Sequence, residues 1–154
     1  MLSKKTQYAL IALTKLGLEY GQGPVLISDI ANSEKIPQRF LEGILLELKK
    51  LGVLGSKLGK KGGYYLLRPP AEISVAEVVR HFEGTIALLY CVSEKAYQPG
   101  EFCRDEANCK IRILYKDIRD YTFNLLSATS LESILPDSPV LSNAPIDLSD
   151  SKGS

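Results

Sequence analysis

Three cysteines, Cys91, Cys103 and Cys109, are the residues of this 154-residue chain best placed to do chemistry. Eleven residues separate the first pair and five the second. Cys103 and Cys109 sit among Arg, Asp, Glu, Asn and Lys and are expected to be accessible, whereas Cys91 follows the apolar run 86–90 and reads as the most buried. The spacing lacks the two-to-four-residue knuckle of structural zinc sites. Thiolates are soft ligands that suit an iron-sulfur cluster, 2Fe-2S or 4Fe-4S, which normally takes four; three cysteines leave the fourth ligand open. Thiol redox sensing is a second option: Arg104, Lys110 and Arg112 are neighbours that speed thiol oxidation, countered by Glu101, Asp105 and Glu106. Structural cysteines, zinc or response to a partner protein are the third. His81 is the single histidine and is expected to pack or to make a helix-end hydrogen bond. No nucleotide loop, paired-carboxylate motif or nucleophile elbow is present, so nothing supports an enzyme.

The second feature with chemical meaning is charge. Net charge is only +1, but residues 1–68 hold 11 Lys and Arg against 5 Asp and Glu, and residues 69–154 hold 8 against 13. One end can therefore meet a polyanion while the whole stays nearly neutral. The start MLSKKTQYAL lacks the apolar run of a signal peptide, and no stretch reaches the roughly 18 to 20 apolar residues of a membrane span. A cytoplasmic location is expected; thiols stay reduced there, and an odd cysteine count argues against a disulfide framework.

The elements that must position these groups follow from periodicity. Leu10, Ala12, Leu13, Leu16 and Leu18 predict a helix over about 5–20, stopped by Gly21, Gly23 and Pro24. Ser28 is the expected N-cap of a short helix with Ile30 and Ala31 inward, ending near 32–35. Pro37 suits the first position of the next helix, whose buried stripe is Leu41, Ile44, Leu45, Leu48 and Leu51, closed by Gly52. Two short runs, 53–54 and 64–67, flank a Lys- and Gly-rich tip and predict a hairpin. Ser74 and Glu77 match a capping box for a helix to about Glu83. Residues 92–108 read as an ordered or ligand-organised loop, where function tends to sit. Ile111, Leu114, Ile118, Tyr121 and Leu125 then mark a long apolar stripe over about 108–128, read as a dimerisation helix. After Leu135 too few large apolar groups remain to offset the ordering entropy of about 1 to 2 kcal/mol per residue, and the tail is expected to be disordered.

Helix, turn, helix, glycine and hairpin is the order of a winged helix-turn-helix, so the fold class is mainly α with a small two-stranded wing and a long C-terminal helix. The expected division is 1–70 for DNA binding, 71–107 for a linker helix and sensor loop, 108–135 for dimerisation and 136–154 for the tail. In such a motif the second helix enters the major groove and its first residues meet base edges. Here these are Gln38, Arg39, Phe40, Glu42 and Gly43: Arg39 could fork onto guanine, Glu42 accept from cytosine, and Phe40 serve both core and contact. Lys57, Lys60 and Lys61 would neutralise phosphates or enter the minor groove, Tyr64 could add a phosphate hydrogen bond, and Ser28 completes the candidate surface.

Gln7-Tyr8-Ala9-Leu10, Ile30-Ala31, IPQRFLE at 36–42, LKKLGV at 48–53, Gly62-Gly63-Tyr64-Tyr65-Leu66 and the cysteine loop leading into the long helix form a specific set. By these segments the chain resembles, over about residues 1–135, the family of bacterial regulators that includes IscR, NsrR and CymR. The resemblance implies a homodimer crossed by its long helices, paired winged domains on a partly palindromic operator in double-stranded DNA, and often a cysteine-held iron-sulfur sensor; the basic wing and accessible cysteines are read as those of a repressor. It also implies a fourth ligand from a histidine three residues past the last cysteine or an acidic residue near the partner's N-terminus; Arg112 and Gln7 stand at those positions. Only the spacing from Cys103 to Cys109 matches the best-known members closely. A further departure is Leu58, where many members carry arginine. A regulator without a cluster, controlled by a partner protein, or a protein-binding adaptor, is the alternative.

Overall fold

Ser3 opens the first helix, its hydroxyl accepting from the Thr6 amide at 3.2 Å, and α1 runs Lys4–Leu18 in the computed structural model, which describes residues 2–100 and 104–139. Ala9, Ala12, Leu13 and Leu16 are buried along one face, as the period predicts, but Leu18 is exposed because it lies at the frayed end of the last turn.

The second helix, α2, spans Ile27–Glu34 and corrects the expectation for Ser28. Ser28 lies inside the first turn; the cap is Leu26, whose carbonyl accepts from Asp29 and Ile30 at 3.0 and 3.2 Å without side-chain help. The reason is the neighbouring residue: Val25 pairs with Tyr64 through two backbone hydrogen bonds of 2.8 Å, which fixes the entry of the chain into α2. Lys35 ends α2 in the left-handed region at φ 54.

The third helix, α3, spans Gln38–Lys50 with Pro37 as its cap rather than its first residue; the Pro37 carbonyl accepts from Phe40 and Leu41 at 3.0 and 3.1 Å. Leu41, Ile44, Leu45 and Leu48 are fully buried and Leu51 is half-buried, which reproduces the expected stripe. Each such leucine, once removed from water, stabilises the fold by about 1.5 to 3 kcal/mol.

Strands β1, Leu54–Lys57, and β2, Gly63–Leu66, pair antiparallel with Leu54 opposite Leu66 and Lys57 opposite Gly63. The Val25 bridge adds a one-residue third member to this wing. It requires glycine at 63, where φ is 138 and a Cβ would stand 2.2 Å from the Val25 carbonyl oxygen.

Helix α4, Val75–Glu83, starts on Ser74, whose hydroxyl accepts from the Glu77 amide at 3.3 Å. The expected capping box is half formed: the Glu77 carboxylate pairs instead with the Arg68 guanidinium. A charge-assisted bond to arginine outcompetes a neutral backbone amide. The last long helix, α5, is Lys110–Ala128.

Residues 129–135, counted by expectation with the long helix, leave it and fold back. Val75 donates to Thr129 and Leu131 to the Ile73 carbonyl, at 2.9 and 2.7 Å, and Leu131 is buried in the same core as α1, α2, α3 and the wing. Ile73 and Val78 belong to that core too, so it continues past residue 70. Most of the expected disordered tail, 140–154, lies outside the described residues. Among the described residues no helix is long and apolar enough to cross a membrane.

Candidate nucleic-acid interface and cysteine site

The burial of one face of α3 decides what its other face shows. Gln38, Arg39, Phe40, Glu42 and Gly43 are all exposed at the N-terminal end, opposite the stripe that anchors the helix. Phe40 is 64% exposed, so the double role expected for it reduces to a surface one. Lys57, Lys60 and Lys61 are exposed on the wing. Tyr64 is half-buried against the core, and its backbone is held by Val25. Ser28 is half-buried within α2. The Lys49 ammonium donates to the Ser56 hydroxyl at 2.6 Å and ties α3 to β1 of the wing.

His81, expected to pack or to make a helix-end hydrogen bond, links α4 to α3. His81 stands edge-on to Phe82, 5.1 Å between ring centroids, and its Nε2 lies 3.1 Å from a Glu47 carboxylate oxygen on α3. Lys50 and then His81 hold the Glu47 carboxyl below the usual carboxylate range. At the last residue of α4, two positions beyond His81, Glu83 accepts from the Ser3 amide and hydroxyl at 2.8 Å each and from the buried Thr6 hydroxyl. These bonds, Thr6 first, lower the Glu83 pKa. Glu83 thereby closes the N-terminus of α1, a role that sequence periodicity does not signal.

Cys91 and Cys109 are brought to one end of α5. Cys109 is its N-cap residue, its carbonyl accepting from Ile113 at 3.1 Å, and Arg112, three residues on, donates through Nε to the Cys91 carbonyl at 3.3 Å. Both cysteines are half-buried, so Cys91 is less enclosed than its apolar flank predicts. Cys103 lies outside the described residues. The loop before Cys109 is organised by Asp105, whose carboxylate accepts from the Asn108 side chain at 2.7 Å and from the Ala107 and Asn108 amides; Asn108 is the main cause of its lowered pKa. Tyr97 donates to Glu106, which raises the tyrosine's pKa, and Glu106 lies 3.8 Å from Arg112.

Two thiols at one helix end suit a soft, thiophilic group in chemistry, although among the described residues no three His, Cys, Asp or Glu gather as a metal site. Arg112 occupies the position of a ligand histidine but serves as a strut between the Cys91 backbone and Glu106. Gln7 donates to its own Leu2 carbonyl at 2.9 Å.

The body of α5 has the opposite character to α3. No residue of it among those described is buried. Ile111 and Leu125 are 62% and 53% exposed, with Leu114, Ile118 and Tyr121 exposed between them. It is held to the rest of the chain by Arg80 stacked 4.9 Å over Phe123 and by Arg119 donating to the Val92 carbonyl.

Known proteins resemble this chain over most of its length. Residues 2–137 match the family described as Rrf2, iron-dependent transcriptional regulator. An rrf2-like HTH-type transcriptional regulator of Rhodobacter capsulatus is 41% identical over 138 residues, 88% of this chain and 92% of the relative. The HTH-type transcriptional regulator IscR of Photorhabdus laumondii is 32% identical over 140 residues, 91% and 82% of the two chains. Among solved structures, CymR (YrzC), the global cysteine regulator of B. subtilis, superposes with a TM-score of 0.72 at 28% identity, covering 86% of this chain and 93% of that one.

Proposed function

This chain belongs to the Rrf2 family of transcriptional regulators, and from that premise we propose that it is a homodimeric repressor whose cysteines decide whether its paired winged units hold a partly palindromic operator. The coarser part follows from the family: it is a DNA-binding, winged-helix regulator and not an enzyme. One observation carries the rest of the DNA reading: five consecutive-turn residues, Gln38, Arg39, Phe40, Glu42 and Gly43, stand exposed on a helix locked by a fully buried opposite face. A rigid helix with a polar, Arg-bearing N-terminal surface is what base readout in a major groove needs.

The dimer is supported by the uncovered stripe of α5. A 19-residue helix presents about 28 Å of apolar face. A second copy laid against it buries the same stripe twice, the self-complementary arrangement of a two-fold interface. Absence of a membrane-length helix among the described residues is consistent with work in the cytoplasm.

Cys91, Cys103 and Cys109 would hold an iron-sulfur cluster at the head of α5, with the fourth ligand open; bound there, it supplies a redox- and oxygen-sensitive charge. The chain's own part is to aim thiols at one place, through the Arg112 strut and the Asp105-ordered loop. Thiol control without a cluster is the second reading, favoured by likeness to the cysteine regulator CymR.

Two measurements test this. Selection from random duplex DNA is expected to return an inverted repeat; failure to enrich any motif would leave a protein-binding adaptor. Protein purified without oxygen is expected to carry iron, acid-labile sulfide and a visible charge-transfer spectrum, all lost in Cys109→Ser. Iron-free, colourless protein whose operator binding still responds to thiol oxidants would replace the cluster with thiol control.

A further inference from the structure

Leu58 is the most exposed large apolar residue of the described chain, 96% open at the tip of the wing. A single exposed leucine ordinarily needs no explanation. Its setting is what distinguishes it. Lys57, Lys60 and Lys61, within three residues of it, are all exposed too, so the tip offers one apolar side chain among three cationic ones.

The tip is also held in one form. Gly62 donates to the Gly59 carbonyl at 3.0 Å, and a Cβ on Gly62 would stand 2.1 Å from the Lys57 carbonyl oxygen, so the backbone folds back on itself there with no room for a side chain. Beneath it, four residue pairs join β1 to β2, and the Val25 bridge pins β2 to the helix-turn-helix. Leu58 is therefore presented at a fixed place relative to α3.

The surface that fits an exposed apolar side chain with cations beside it is a DNA minor groove: two phosphate rows about 6 Å apart, with sugars and base edges between them. Lysines meet the phosphates, and an apolar side chain reaches the floor, where leucine can enter between base pairs and partly unstack them. We propose that Leu58 is a minor-groove wedge that selects easily unstacked pyrimidine-purine steps beside each half-site read by α3. This reading rests on the proposed DNA function and adds specificity at positions that α3 does not reach. Pyrimidine-purine steps are the flexible ones, so the preference is read through deformation and not through hydrogen bonds.

The test is selection from random duplex DNA with the full-length wild type, Leu58→Ala and Leu58→Arg, followed by titration on the selected site with 2-aminopurine at the flanking step. Wild type is expected to enrich a TA or CA/TG step at fixed distance from the α3 element and to brighten the probe. Leu58→Ala should keep the α3 element, lose the flanking step and the brightening, bind about tenfold more weakly, and show an unchanged salt slope. Leu58→Arg should shift the flank toward A·T tracts and steepen the salt slope by about one unit. If Leu58→Ala leaves flank and brightening as in wild type, the wedge is overturned while the DNA reading stands. If wild type enriches no motif, the DNA reading falls and the wedge with it.

Discussion

The winged unit and the long helix hold leucine and isoleucine in similar proportion and put them to opposite use. In α3, Leu41, Ile44, Leu45 and Leu48 vanish into a core shared with α1, α2, the wing and Leu131. In α5, Ile111, Leu114, Ile118, Tyr121 and Leu125 recur at the same three-to-four spacing and remain in solvent. The first region is complete within one chain. The second is an offer of apolar surface, tethered to its own chain by a cation over Phe123 and by Arg112 and Arg119 bonding backbone carbonyls. Periodicity reports that a helix has an apolar face; it does not report whose surface will cover it.

Mutations on the two helices test this contrast. The largest effect is expected at Leu45, fully buried in α3: Leu45→Ala should cost about 3 kcal/mol, read as a lowered urea midpoint. The same change at Leu114, measured in protein too dilute to pair, should cost less than about 0.5 kcal/mol. Equal costs would mean that α5 packs within its own chain. Next in size, Leu114→Glu with Ile118→Glu should give a folded monomer by sedimentation and lower affinity for a two-half-site DNA about 100-fold, roughly 2.7 kcal/mol. A dimer that survives both charges would move the interface elsewhere.

On the DNA side, Arg39→Ala should relax preference at one base position by about 1 to 3 kcal/mol, whereas Lys60→Ala should weaken all sequences alike and reduce the salt slope by about one unit. Binding arrays across single-base variants of the selected site separate the two patterns. Identical patterns would contradict a division of labour between α3 and the wing.

The smallest effect is expected at Glu83, which joins α4 to the start of α1. Its pKa is lowered by the Thr6 hydroxyl and then by Ser3, so the folded state binds the proton more weakly than the unfolded chain does. Its contribution is therefore full above the unfolded-state pKa and fades as pH falls through the lower folded one. Glu83→Gln should cost about 1 kcal/mol at pH 7, with the gap to wild type closing below about pH 4. Urea titrations across that range measure it, and a gap independent of pH would refute a role for the charge.

What was legible in the sequence is what is local. Four-residue spacing exposed the α3 stripe, Gly52 its end, and the Lys- and Gly-rich run the wing tip, because each depends on residues within one or two turns. Pairings between distant single residues left no such trace: Val25 with Tyr64, Ser74 with Ser130, and Glu83 with Ser3 and Thr6. The first of these is why Ser28 failed as a cap. At the cysteine site the residue types were legible and the supports were not; Arg112 stood out as an absent histidine, and only the fold shows it gripping the Cys91 backbone.

The return of the chain after α5 has a mechanical side. Leu131 is fixed in the core of the DNA-reading unit, and Cys109 stands at the far end of a 19-residue rod about 28 Å long. A tilt of about five degrees at the Leu131 pivot swings the cysteine end by roughly 2 Å, by the geometry of that rise per residue. Run in reverse, a force that drew Cys91 and Cys109 together would be felt at the pivot, inside the same packed core that holds α3.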